Sequence, residues 1–127
     1  MGEPARGDRA ELLARLRVRA LRPDLLEQAL THSSYLNENP AAGASNERLE
    51  FLGDAILGLV VARLLYESCP GAGEGDLTRI RAEIVRGSTL ARAAARIELG
   101  RFLILGRGEE AAGGRTRDRN LAGALEA

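Results

Sequence analysis

The chain has 127 residues, of which 45% are hydrophobic, and its 18 basic and 18 acidic residues give a formal net charge of zero. This size fits one globular domain with a single core, and the neutral balance excludes recognition of a nucleic acid or an anionic membrane by bulk charge alone. The single cysteine, Cys69, excludes a disulfide framework, and no apolar run is long enough for a signal core or a membrane span. We therefore expect a soluble, cytoplasmic protein.

The first half of the chain carries three predicted helices. Apolar residues at helical spacing predict one helix over residues 9–20, and Pro23 and Asp24 open a second that continues to residue 36. The polar segment 37–46 has the composition of a loop. A third helix follows, capped by Ser45 or Asn46 and extending to about residue 66. It is apolar on nearly every side, which is typical of a helix at the centre of a core.

The second half is also helical by pattern. A loop over residues 70–76 precedes a fourth helix at 77–86, a fifth at 89–99 and a polar, glycine-rich connection at 106–118. Asp118 or Asn120 begins a last helix. The segment FLIL, residues 102–105, is too short to indicate a sheet, and no strand alternation is present. The predicted class is all-α.

The third helix begins with an acid stripe, a row of acidic side chains along one face. Glu47, Glu50 and Asp54 fall within an arc of about 60° on one helix face, where like charges repel. Three interpretations are open. The stripe is a solvated face paired with arginines; or Glu47 is only a favourable acid in a first helical turn; or Glu50 and Asp54 bind a hard divalent cation through oxygen ligands. Spacing alone does not choose among them.

The segment NERLEFLGDAIL, residues 46–57, resembles the signature of the ribonuclease III family, which cleaves double-stranded RNA. ALTHSSY lies upstream, EGDLTRIRAEIVRGSTLA follows, and LGRGEEAAGGR leads into RNLAGALEA. Matched in order and spacing, these motifs cover the chain from about residue 9 to its end. The resemblance implies a ribonuclease III-type helical endonuclease domain that forms a homodimer and uses magnesium, with manganese as a substitute.

The resemblance also implies roles for individual residues. Glu50 corresponds to a metal ligand, Asp54 to a catalytic and metal-binding carboxylate, and Glu126 to the catalytic, metal-binding acid of the last helix. Glu47 is expected beside these ligands or at the dimer junction, where Phe51 corresponds to an aromatic residue that projects into the partner. These assignments predict that carboxylates from two helices converge on the same ions.

The resemblance covers further polar positions outside the acid stripe. Glu74 matches a family acid near the RNA, and the lone histidine, His32, is expected to cap or hydrogen-bond near the signature helix rather than to act as a base. Arginines 79, 81, 86, 115, 117 and 119 are candidates to contact RNA phosphates. Because double-stranded RNA is recognised mainly by shape, we expect a neutral domain to bind it weakly without help.

The match departs from the family at Gly123. The family places an acid three residues before Glu126, and glycine at that position supplies no ligand and costs up to about 1 kcal/mol in a helix. The last helix also has only about two turns before Ala127, so we expect one nuclease domain over 1–127 that is incomplete at its C-terminus and lacks an RNA-binding domain.

Two functions follow from this pattern. The first is a magnesium-dependent endoribonuclease that hydrolyses phosphodiester bonds in double-stranded RNA and processes ribosomal and other RNA precursors, with activity weakened by Gly123. The alternative is a catalytically impaired relative that binds structured RNA or a partner nuclease domain as a scaffold. Glu50, Asp54 and Glu126 favour the enzyme, whereas Gly123 favours the scaffold.

Overall fold

The computed structural model describes residues 7–20 and 22–127, and within them every regular element is helical. The α-helices are α1 (Arg9–Leu16), α2 (Pro23–Leu30), α3 (Ser33–Glu38), α4 (Glu47–Ser68), α5 (Glu74–Ile84), α6 (Gly87–Arg96), α7 (Arg107–Ala111) and α8 (Asp118–Glu126). Short 3-10 turns cover Pro40–Ala42, Leu99–Phe102 and Gly114–Thr116. The all-α prediction is confirmed.

The first helix is shorter than predicted. The Asp8 side chain caps its start by accepting from the Ala10 N–H at 3.0 Å. It ends at Leu16 because Arg17 adopts a left-handed conformation, with φ at 56°, and its N–H donates to carbonyls of the last turn. The predicted extension to residue 20 is therefore wrong.

The predicted second helix is broken in two at Thr31 and His32. Ile104 lies alongside this break, where its N–H donates to the Leu30 carbonyl at 2.9 Å and its carbonyl accepts from the His32 N–H at 2.9 Å. The Leu30 carbonyl and the His32 N–H therefore bond to Ile104 instead of continuing the helical hydrogen bonds. His32 then caps α3, because its Nδ1 accepts from the Ser34 N–H at 3.1 Å. The structural interpretation of the lone histidine is confirmed.

The core lies around α6, α8 and the turn at Leu99–Phe102, not around α4. Ala94 and Phe102 are fully buried, whereas Val61 is the one buried residue of α4. On the outer side of α4, Phe51 is 84% exposed and Leu59 is 70% exposed. Within the described part of the chain, α4 packs mainly against α5 and α8, so the predicted central position of this helix is wrong.

Helices α4 and α8 cross at Gly53. A Cβ atom built on Gly53 would lie 1.6 Å from the backbone carbonyl oxygen of Glu126. No side chain fits in that space, and the obstacle is backbone rather than a flexible side-chain end. The missing Cβ therefore allows the end of α8 to approach the first turns of α4.

We expect Gly53→Ala to destabilise the domain by about 1–3 kcal/mol or more, because the new methyl group must push α8 away from α4. Thermal unfolding followed by circular dichroism measures the change, with an expected loss of at least about 5 °C.

Gly58→Ala is the matched control on the same helix, since a Cβ there meets nothing within 4 Å. It should leave the midpoint unchanged or raise it, because alanine favours a helix by up to about 1 kcal/mol over glycine. Equal midpoints for the two variants would contradict a tight crossing at Gly53.

Candidate functional site

The crossing of α4 and α8 brings three predicted acids into one neighbourhood. Glu50 and Asp54 lie one turn apart on α4, on either side of Gly53, and Glu126 ends α8 at the contact. The pKa of the Glu126 carboxyl is raised above its usual range, first by burial and then by the negative charges of Asp54 and Glu50. The three carboxyl groups therefore interact, although they come from two helices.

No arginine in the described part of the chain neutralises this cluster. Among the described residues, no ion pair or side-chain hydrogen bond involves Glu50, Asp54 or Glu126, and Arg63 of α4 pairs instead with Glu67 at 3.0 Å. The interpretation of the stripe as a face paired with arginines is therefore wrong. Uncompensated carboxylates that repel one another favour the binding of a cation.

The carboxyl groups suit a hard divalent ion, which prefers oxygen ligands. Within residues 7–20 and 22–127, no three acidic, histidine or cysteine side chains converge closely enough to form a complete metal cluster. Magnesium tolerates this arrangement because it retains several waters and often uses only one or two protein carboxylates. The donor chemistry fits a magnesium ion, which Glu50, Asp54 and Glu126 would hold together with water.

Gly123 faces Glu50 directly. Gly123 is buried, and a Cβ atom built on it would lie 2.8 Å from Oε2 of Glu50. The obstructing atom is the end of a flexible side chain, so a modest rotation of Glu50 would make room. An acid at position 123 would therefore extend its carboxylate close to that of Glu50.

A polar pocket of about 310 Å³ opens beside Glu50 and Gly123. Its walls come from the start of α3, the start of α4, α7 and α8, and it carries both acidic and basic groups. The polar residues that line it include Glu47, Glu50, Glu109, Arg117, Arg119, His32, Asn46 and Asn120. Glu50 thus adjoins both this pocket and the charge of Glu126.

The remaining predicted residues lie around the cluster. Glu47 lines the pocket and accepts from the Ser45 hydroxyl at 3.3 Å, whereas Phe51 projects from the outer, apolar side of α4. Glu74 is exposed in the first turn of α5 and is not part of the pocket wall. The structure therefore brings Glu47 to the site and leaves Phe51 and Glu74 outside it.

Sequence reasoning missed Glu109 and Asn120. Oε1 of Glu109 accepts from Asn120 Nδ2 at 2.9 Å and from Arg117 Nη1, and Asn120 also donates to the Gly114 carbonyl at 3.0 Å. The Asn120 hydrogen bond, with the charge of Arg117, holds the pKa of Glu109 below its usual range. The segment 106–118 has the composition of a polar connection, and the overlapping motif LGRGEEAAGGR was used only to match the family, so Glu109 received no role.

Comparisons with known proteins give a consistent result. Residues 22–127 match the family model described as ribonuclease-III-like. The Ribonuclease 3 of Dehalococcoides mccartyi (strain CBDB1) is 53% identical over 121 residues, which cover 94% of this chain and 51% of that protein. The Ribonuclease 3 of Roseiflexus sp. (strain RS-1) is 52% identical and is also covered to 51%. The chain thus spans about half the length of these curated relatives.

Solved structures agree with the sequence relatives. The nuclease domain of ribonuclease III from Campylobacter jejuni matches with a TM-score of 0.86 and 37% identity, over 94% of this chain and 80% of that chain. It is described as having structural flexibility in a region involved in dimer formation. A second structure of the same nuclease domain gives a TM-score of 0.85.

The raised pKa of Glu126 predicts a pH-dependent cost to stability. Because the folded-state pKa lies above the unfolded value, the folded domain binds more protons, and its stability falls as pH rises from the ordinary carboxyl range through the raised pKa. We expect Glu126→Gln to unfold at a higher temperature than the wild type at pH 7 without divalent ions.

The gain should shrink as the pH approaches 4, where the wild-type carboxyl is mostly protonated in both the folded and the unfolded state. Calorimetry across this range, with Glu74→Gln as an exposed control of the same chemistry, measures the effect. A gain that is constant from pH 4 to pH 7 would contradict charge repulsion as its cause.

Proposed function

Because this chain belongs to the ribonuclease-III-like family, we propose that it hydrolyses phosphodiester bonds in double-stranded RNA in a magnesium-dependent reaction. The observation that carries this proposal is the meeting of Glu126 with Asp54 and Glu50 across the α4–α8 crossing. Cytoplasmic processing of ribosomal and other RNA precursors is the proposed setting, and manganese is the proposed substitute ion.

Glu50 and Asp54 from α4 and Glu126 from α8 are the proposed metal ligands, and Asp54 and Glu126 are also the proposed catalytic carboxylates. A bound magnesium ion would lower the pKa of an attacking water and neutralise charge on the phosphate oxygens. The protein's own contribution is positional: two packed helices hold the acids at a fixed separation, which avoids the cost of ordering them during the reaction. Glu47 lies beside this group, and Glu74 is proposed to lie near the RNA.

We propose that the apolar outer side of α4 binds a second copy of the chain. Phe51, Leu59 and Tyr66 are each at least 70% exposed there, and a contiguous apolar strip of this kind marks an interface in soluble proteins. The description of the Campylobacter jejuni nuclease domain refers to dimer formation, which supports a homodimer here. Phe51 would then lie within the interface.

Gly123 supports one alternative, a catalytically impaired relative that acts as a scaffold for structured RNA or a partner nuclease domain. Because glycine has no side chain, position 123 contributes no oxygen ligand to the pocket beside Glu50. An acid placed at position 123 would point toward Glu50. Substitution of this residue therefore distinguishes the enzyme from the scaffold.

Cleavage of an end-labelled RNA duplex tests both functions. We expect cutting that requires magnesium, a loss of at least about a hundredfold in Glu126→Gln, and a faster rate in Gly123→Asp, because the added carboxylate supplies a missing ligand. Initial rates measured on denaturing gels across a magnesium titration report the three quantities.

Gly58→Ala serves as the control variant that leaves the acids untouched. Cutting that ignores both magnesium and Glu126→Gln would contradict the nuclease proposal. Binding of the duplex without cutting, restored to cutting by Gly123→Asp, would support the scaffold. Equal rates for Gly123→Asp and wild type would contradict the role given to that position.

The dimer is tested by Leu59→Asp, which places a charge on the exposed apolar strip of α4. We expect the wild type to sediment as a dimer and the variant as a monomer, because burying an unpaired carboxylate in an apolar interface is costly. Sedimentation velocity over a range of protein concentrations measures the two masses.

Ala93→Asp is the control, since Ala93 is exposed on α6, away from this strip. The same acid there should leave the dimer intact. A wild-type chain that remains monomeric at every concentration, or a Leu59→Asp variant that remains dimeric, would contradict the proposed interface.

A further inference from the structure

Three arginines lie at or just before the start of α8: Arg115, Arg117 and Arg119. They carry the same charge but differ in the hydrogen bonds and ion pairs that their side chains make. Arg115 is half-buried and pairs with Glu110 at 2.9 Å through Nε. Its Nη1 donates to the carbonyls of Gly100 at 2.7 Å and Leu103 at 2.8 Å. The donors of this guanidinium are occupied by these contacts, so Arg115 is not available to bind a ligand.

Arg117 is also engaged within the protein. Its Nη1 pairs with Glu109, and its Nη2 donates to the Ala112 carbonyl at 3.1 Å. Because Glu109 also accepts from Asn120, Arg117 belongs to a network that fixes the start of α8. Moving Arg117 onto a ligand would leave the Glu109 carboxylate with one donor fewer.

Arg119 differs from both. It is exposed, and within the described residues its side chain makes no hydrogen bond or ion pair. It nevertheless lines the polar pocket together with Glu50 and Gly123. Arg119 precedes Gly123 by four residues, and this spacing places the two on one face of α8. Arg119 thus lines the same pocket as Glu50 and has no partner for its charge among the described residues.

We propose that Arg119 is a substrate-binding residue that holds a phosphate of the RNA backbone at this pocket. The inference rests on the proposed function. A phosphate that approaches Glu47 and Glu50 meets repulsion from both carboxylates, and an arginine in the same pocket offsets that repulsion. Arginine suits this role because its planar donors match phosphate oxygens in pairs. The contact reads no base, which agrees with a duplex recognised by its backbone.

Binding is measured first, by fluorescence anisotropy of a labelled RNA duplex. A Glu126→Gln background, with magnesium present, limits cutting during the measurement. Adding Arg119→Gln should weaken binding several-fold at low salt and reduce the slope of log K against log salt by about one, as expected for one lost phosphate contact. Arg119→Lys should restore most of the slope, since it keeps the charge, but only part of the affinity.

The matched control is Arg96→Gln at the end of α6, where the arginine is exposed, lacks an ion pair among the described residues and does not line the pocket. It should leave both the affinity and the slope unchanged. In the cutting assay, Arg119→Gln should raise KM several-fold with little change in kcat, because the contact is made equally in the ground state and the transition state. Circular dichroism should show unchanged unfolding midpoints.

The outcomes separate the two proposals. If the duplex is cut and Arg119→Gln matches Arg96→Gln in slope, affinity and KM, the phosphate contact is overturned while the nuclease stands. If the duplex is bound with the expected dependence on Arg119 but is never cut by any active-site-intact variant, the nuclease proposal is overturned while the contact stands. A fall in kcat at unchanged KM and slope would also overturn a binding role.

Discussion

The close approach of α4 and α8 at Gly53 is the constraint on which the site depends. A single methyl group at this position would meet the Glu126 backbone, so the helices reach their observed separation only because the side chain is absent. That separation places the end of α8 within electrostatic reach of Glu50 and Asp54. Gly53 has no functional group of its own, yet the helix contact that brings the acids together depends on it.

The acids themselves oppose this arrangement. Bringing Glu126 against two like charges and partly burying it raises its pKa, and no arginine of the described chain offsets the repulsion. Burial of the apolar core around Ala94 and Phe102 stabilises the fold and offsets the cost of this repulsion. A site that strains the fold locally is typical of function, since stability alone would favour a neutral residue there.

Much of this could be predicted from sequence, and the failures have physical causes. Helical periodicity located the long helix and the acid stripe, because both depend on local spacing. The break at Thr31 was missed, since it depends on hydrogen bonds to Ile104, more than seventy residues away. The central placement of α4 was wrong because an apolar sequence pattern does not distinguish side chains that pack inside the chain from side chains that remain on its surface. Glu109 was missed because its partners meet only in the folded chain.

The proposed dimer surface and the proposed metal site share helix α4, which is one continuous, stiff element. Its acids lie near one end, while the exposed apolar residues continue along the same rod to Tyr66, roughly 24 Å beyond Glu50 at 1.5 Å per residue. A rod of this kind transmits a tilt from one end to the other without bending much. A tilt of the Tyr66 end of α4 would therefore also move the carboxylates, because no loop separates the two parts of the helix.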